Sequence, residues 1–166
     1  MKNQFLMSIC ALIILGILHL ASCTKLEDAK PTSSIAKAMI MGDVKANLDL
    51  TNDTNQYGFP EIRYEQVPSG TLLQARMNTE SLDPNPNTIL AYRDILFSAK
   101  VGSDGTYTFE VYAGPSNTPV TIIADDFRYD QKINDSTWEE KIFYLNNVNI
   151  SVIQNQTNIV DLFFNP

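Results

Sequence analysis

The sequence predicts an all-β fold, a sandwich of seven short antiparallel strands. Apolar and polar residues alternate with period two in one segment after another, so every second side chain falls on one face of a strand. Clusters of Gly, Pro, Asn and Asp separate those segments at short intervals. After residue 35 no run keeps a helical period for more than two turns.

Taken in order, the first strand spans Ala36 to Leu48. Ala38, Ile40, Gly42, Val44, Ala46 and Leu48 share one face, with Asp43, Lys45 and Asn47 on the other. Thr51 to Gly70 is a long polar connection, of a length that in compact domains points to function or disorder. Its apolar residues Tyr57, Phe59, Ile62 and Tyr64 are expected to pin it to the domain. Thr71 to Asn78 is the second strand, with Leu73, Ala75 and Met77 on one face. After the Asp83–Asn87 loop, Ile89 to Val101 is read as a long strand with Ala91, Ile95, Phe97, Ala99 and Val101 inward.

Gly102-Ser103-Asp104-Gly105 supplies a tight turn, and Thr106 to Ala113 answers the preceding strand as a hairpin. Tyr107, Phe109, Val111 and Ala113 point inward. Pro119 to Tyr129 follows, with a slip of phase at Asp125-Asp126 that marks a bulge or a strand end. Lys141 to Ile153 and Asn158 to Phe164 complete the set. The expected core is Phe97, Val101, Tyr107, Phe109, Val111, Val120 and Ile122.

Upstream of the strands, Phe5 to Leu18 is an apolar run behind Lys2, too short for a retained membrane helix of about 20 residues. It ends in Leu20-Ala21-Ser22-Cys23. That segment resembles the bacterial lipobox, which implies a leader cleaved after residue 22 and a diacylated Cys23 at the new N-terminus. Acyl chains of this kind contribute about 0.8 kcal/mol per buried methylene, so the lipid bilayer becomes the first expected partner. The resemblance implies a lipoprotein of the cell envelope at the outer membrane and leaves the periplasmic and surface faces open. Residues 23–35 read as the lipidated cysteine and a flexible tether, and 36–166 as a single β-sandwich domain.

Cleavage leaves 144 of the 166 residues and, with Lys2 gone, moves the formal charge from −7 to −8. So acidic a chain, with no basic run, argues against nucleic acid as a partner. Cys10 leaves with the leader and Cys23 carries lipid, so the domain is expected to fold on its apolar core alone.

At the turn between the fourth and fifth apolar segments the chain resembles a known family. Gly102-Ser103-Asp104-Gly105-Thr106-Tyr107-Thr108-Phe109 is similar to the signature turn of carboxypeptidase-regulatory-like domains. Gly42-Asp43-Val44, Pro68-Ser69-Gly70-Thr71 and Val120 to Ala124 extend the likeness. It implies a prealbumin-like (transthyretin-like) Greek-key sandwich that is not an enzyme. In lipoproteins of Bacteroidota-type bacteria such modules accompany glycan uptake or serve as adhesive and spacer units. The Thr51 to Gly70 connection and the Lys132 to Asn147 segment exceed the family pattern, so a particular function is expected in those additions.

The residue chemistry points the same way. The single histidine, His19, lies in the leader, which takes the commonest general base and metal ligand with it. Asp125 with Asp126, and Glu139 with Glu140, are the candidates for a two-carboxylate site, but neighbours in a strand point to opposite faces, so solvated or turn charges are the better reading. Asp49, Thr51, Asp53 and Asn55 alternate like a calcium loop, but the sixth position is Thr54 and the twelfth Pro60, so Asx turns are the better reading. No metal or cofactor is expected. Tyr57, Tyr64 and Trp138 are the candidate platform for a glycan or protein partner, and Tyr92 and Tyr112 fall on the outward parity. Asp135-Ser136-Thr137 resembles a bacterial O-glycosylation motif, which makes Ser136 a candidate modification site. The alternative function is a structural subunit of a surface assembly, pairing by strand addition through the β-rich run from Ile150 to Phe164.

Overall fold

The computed structural model of the chain describes Ile35–Pro166. The expected leader, Cys23 and the Thr24–Ser34 tether lie outside the described residues. Within those residues the fold is all-β, with two short 3-10 turns at Leu50–Asn52 and Thr79–Leu82. No helix among them is long and apolar enough to cross a membrane.

The alternation read from the sequence builds the first sheet around β1 (Lys37–Ala46), which buries Ala38, Ile40, Val44 and Ala46. Along one side β5 (Thr106–Tyr112) runs antiparallel to Lys37–Asp43, and β2 (Glu65–Gln66) pairs antiparallel with Lys45 and Ala46. Along the other side β10 (Thr157–Ile159) and β11 (Leu162–Phe164) pair with β1 in parallel. The second sheet is antiparallel, in the order β4 (Asp94–Lys100), β3 (Leu72–Asn78), β6 (Thr118–Ala124) and β9 (Val148–Val152). β7 (Phe127–Asn134) and β8 (Thr137–Phe143) form a separate hairpin. Ile40, Phe109 and Val111 of the first sheet share one apolar core with Leu73, Val120 and Ile122 of the second, an arrangement compatible with a β-sandwich. Each such side chain contributes about 1.5–3 kcal/mol when fully buried.

Several expectations are corrected. The described residues hold eleven strands rather than seven, and the first sheet is mixed rather than antiparallel. The expected strand at Ile89 begins only at Asp94. Before it, Asn87 Oδ1 accepts from Ile89 N at 3.0 Å, and the Tyr92 hydroxyl ties Asp83 to Asn87, so Ile89 is left 87 % exposed. The phase slip at Asp125-Asp126 is a strand end, where the chain leaves the second sheet for the β7–β8 hairpin. The last two expected strands each divide in two, at Tyr144–Asn147 and at Val160-Asp161. Of the seven expected core residues six are buried; Phe97 is half-buried, its ring edge-to-face on Tyr112 at 5.4 Å.

The Gly102–Gly105 turn forms, but it does not make a hairpin. β4 pairs with β3 and β5 with β1, so the turn carries the chain from one sheet to the other. Alternation dictates which face is buried, and both Val101 and Tyr107 satisfy it from opposite sheets. The Asp104 carboxylate accepts from the Thr106 N–H and hydroxyl, and the carbonyl of Gly105, at φ 75°, accepts from Val44 N at 2.8 Å. Gly42 has an equally specific role. A Cβ there would overlap the Val160 carbonyl oxygen and stand 2.6 Å from its carbon. The Tyr107 hydroxyl donates to that same oxygen at 2.8 Å, and Asp161 accepts from Asp43 N at 3.0 Å. Burial, with Asp161 nearby, pushes the Tyr107 phenol well above its ordinary range. The glycines and tyrosine of the family-like motif therefore lock β1 to its neighbours.

A cleft at the C-terminal end of β1

The chain enters the domain at the N-terminal end of β1, and the candidate site lies at the strand's other end. There four backbone segments meet in a ring. β1 pairs with β11; Asn165, just past β11, exchanges two hydrogen bonds of 2.9 Å with Tyr144; β8 pairs with β7; and Lys132 of β7 donates to Leu48 O at 2.9 Å. The ring frames a cleft of about 600 Å³. Phe164 lies at its base, against Phe127 at 5.1 Å, which in turn stacks on Phe143 at 5.3 Å.

The side walls come from the inward face of the hairpin, Gln131 and Ile133 of β7 with Glu139 and Lys141 of β8. Gln131 is 3 % exposed, and its Nε2 donates to Asn47 O at 2.7 Å. Lys141 Nζ donates to Glu139 Oε1 at 2.7 Å. Asn47 stands beside them: its Nδ2 donates to Asp53 Oδ2 at 2.6 Å, while its buried Oδ1 has no protein partner.

The remaining wall is Leu50, just before the long connection, with Ile62 and Tyr64 of the connection itself. Its conformation is set by carboxylates, not by apolar pinning. Glu65 accepts from Leu48 N, Asp49 N and Asn52 Nδ2, and Asp53 accepts from Arg63 N at 2.8 Å. Asn55 Oδ1 accepts from Tyr57 N and Phe59 N. Asp49 caps the Leu50–Asn52 turn, and the Thr51 hydroxyl and N–H, with Lys132 beside them, hold its carboxyl below the usual range. The oxygens of the calcium-like spacing are thus spent on local turns. The apolar residues expected to pin the connection, Tyr57, Phe59, Ile62 and Tyr64, are all exposed, the last two at the cleft.

Of the candidate platform residues, the cleft gathers one. Tyr64, 45 % exposed, lines it and packs edge-to-face on Phe163 at 4.9 Å. Tyr57 is 75 % exposed and does not line it. Trp138 pairs across from Lys132, on the opposite hairpin face from Gln131 and Glu139, in a shallow recess with Arg128, Tyr129 and Asp130. Tyr92 and Tyr112 are half-buried, not free on a solvent face. Ser136 sits at the exposed tip of the β7–β8 turn, where Asn134 Oδ1 accepts from its N–H and hydroxyl. Sequence reasoning missed Asn47, Gln131, Glu139 and Lys141 as site residues. Gln131 carried a usable signal, since a glutamine shares the inward parity of Phe127 and Ile133.

Among the described residues no group of three His, Cys, Asp or Glu side chains is placed to hold a metal ion. The chain matches none of the known protein families, and no curated protein matches it either.

Proposed function

We propose that this chain is a membrane-anchored envelope lipoprotein whose β domain is a non-catalytic binding module, accessory to glycan or nutrient uptake, of prealbumin-like Greek-key type. The observation that carries the reading is the cleft, which is concave, largely apolar and lined by a few fixed polar groups, as small-molecule sites are. It is lined in part by the two segments that exceed the family pattern, through Ile62 and Tyr64 of the long connection and Ile133, Glu139 and Lys141 of the Lys132–Asn147 segment. Anchoring through Cys23 is supported by the lipobox resemblance, and attachment upstream of Ile35 leaves the cleft at the far end of β1 from the point of entry. Two measurements test the reading. Cys23→Ala should move the protein from the membrane to the soluble fraction. Backbone amide spectra of the chain, titrated with sugars, peptides and fatty acids, should shift in 47–50, 62–64, 131–133 and 139–141. An unchanged membrane fraction removes the anchor, and shifts nowhere in those segments remove the binding site.

A second reading, a structural subunit that pairs by strand addition, is favoured by one observation. β9 pairs only with β6 and leaves its outer edge free at the end of the second sheet, although β10 and β11 of the same run are already paired to β1. Ordered multimers of the purified chain in sedimentation would favour it.

A further inference from the structure

We infer that the cleft takes a neutral oligosaccharide; the inference rests on the binding-module reading and names its ligand class. Charge is the first argument. The ionic side chains lining the cleft, Glu139 and Lys141, are paired to each other at 2.7 Å, so a charged ligand would be desolvated there without an unmatched counter-charge. The second is the amide set of Asn47, Gln131 and Asn165. An amide offers donors and an acceptor together, which suits a hydroxyl that does both. Gln131 is fixed before any ligand arrives, because it is buried and its Nε2 is committed to the Asn47 carbonyl. Asn47 Oδ1 is buried and accepts from no protein group, so a ligand hydroxyl reaches it only after the Asn47 side chain turns toward the cleft that it lines.

The third argument is the pairing of ring and amides. A pyranose presents apolar C–H faces and a polar rim. The cleft matches it with the Tyr64 ring, held by Phe163, and with Leu50 and Ile62, in one lining with the amides of Asn47, Gln131 and Asn165. An alkyl chain would cover these amides without offering them a hydrogen bond. An extended peptide would instead pair with the outer edge of the two-stranded β7–β8 hairpin, which leaves the amide and ring pairing of the cleft unused. The volume of about 600 Å³ lies within the range of about 300–1,000 Å³ typical of such sites.

The test is calorimetric titration of the purified full chain in detergent with maltotriose, cellotriose, xylotriose, mannotriose and chitotriose. Trigalacturonate and a pool of tripeptides serve as the charged and peptide arms. At least one neutral trisaccharide should bind, and Tyr64→Ala should weaken it about tenfold, as loss of an aromatic anchor does. Ile89→Ala, on an exposed loop residue, should bind as wild type, and melting curves confirm that both variants fold. No binding by any neutral trisaccharide, or binding indifferent to Tyr64→Ala, overturns the inference. Tyr64-dependent binding of trigalacturonate or peptide alone overturns the ligand class and leaves the binding module standing. Silence in every arm removes both.

Discussion

In the paired sheets the inward aromatics Tyr107 and Phe109 are buried, edge-to-face at 5.5 Å, and burial of apolar area holds the strands together. At the cleft end the arrangement is reversed. Tyr57, Phe59, Ile62 and Tyr64 are exposed, and the chain between Leu48 and Val67 is held by Glu65, Asp53 and Asn55. Apolar burial is non-directional and cooperative over the whole core, whereas a carboxylate that accepts two or three donors fixes one local conformation. The domain therefore has a scaffold and a rim that should be separable by mutation.

The largest effect should follow from Phe109→Ala. Its ring is 2 % exposed, and truncations of this kind cost about 3–5 kcal/mol, a large share of a marginal domain's stability. Denaturant unfolding followed by far-ultraviolet circular dichroism should show a midpoint far below wild type, in sheets and rim together. A retained midpoint would mean that the core does not depend on the inward face of β5.

An intermediate and local effect should follow from Glu65→Ala. Leu48 N, Asp49 N and Asn52 Nδ2 all lose their acceptor, and a buried donor left unpaired costs about 1–3 kcal/mol. Because these donors sit beside the cleft, hydrogen exchange should accelerate across 48–63 while β3 and β6 keep their protection. Uniform acceleration would show that rim and scaffold unfold as one unit.

That boundary was partly legible in the sequence. Alternation identified the inward faces of β1, β3 and β5, because half-buried strands expose every second residue. The phase slip at Asp125-Asp126 marked the point where the chain changes sheets. Pairing was not legible. Alternation says which face is buried but not which neighbour covers the edge, so the Gly102–Gly105 turn read as a hairpin although it crosses between sheets. The parallel pairing of β10 and β11 with β1 joins residues more than a hundred positions apart, where no local signal reaches. Gly42 read only as one more residue of the inward face, and the structure alone shows Val160 approaching it. The cleft was legible as two unusual segments, not as a site, because its walls depend on the bridges Lys132–Asp49 and Tyr144–Asn165.

The smallest effect should be electrostatic, and it tests whether the turn between the sheets shares the chemistry of the rim. Asp104 is held below its ordinary pKa by the Thr106 hydroxyl and N–H, as Asp49 is by Thr51 at the cleft and Asp83 by the Tyr92 hydroxyl and Asn85 N–H. A carboxyl with a depressed folded pKa binds fewer protons folded than unfolded. Its contribution is complete above the unfolded value, near 3.8, and is lost as pH falls through the folded value. The melting temperature should therefore be flat in this respect from neutral pH to about 5 and decline below about 4. Asp104→Asn keeps an Oδ1 acceptor for Thr106 but removes the titration, so its decline on the acid side should be shallower than wild type. Asp49→Asn should do the same while also loosening the Lys132 contact at 3.7 Å, which Asp104 has no counterpart for. Identical acid slopes in wild type and both variants would show that these carboxylates, though well bonded, are not what acid attacks.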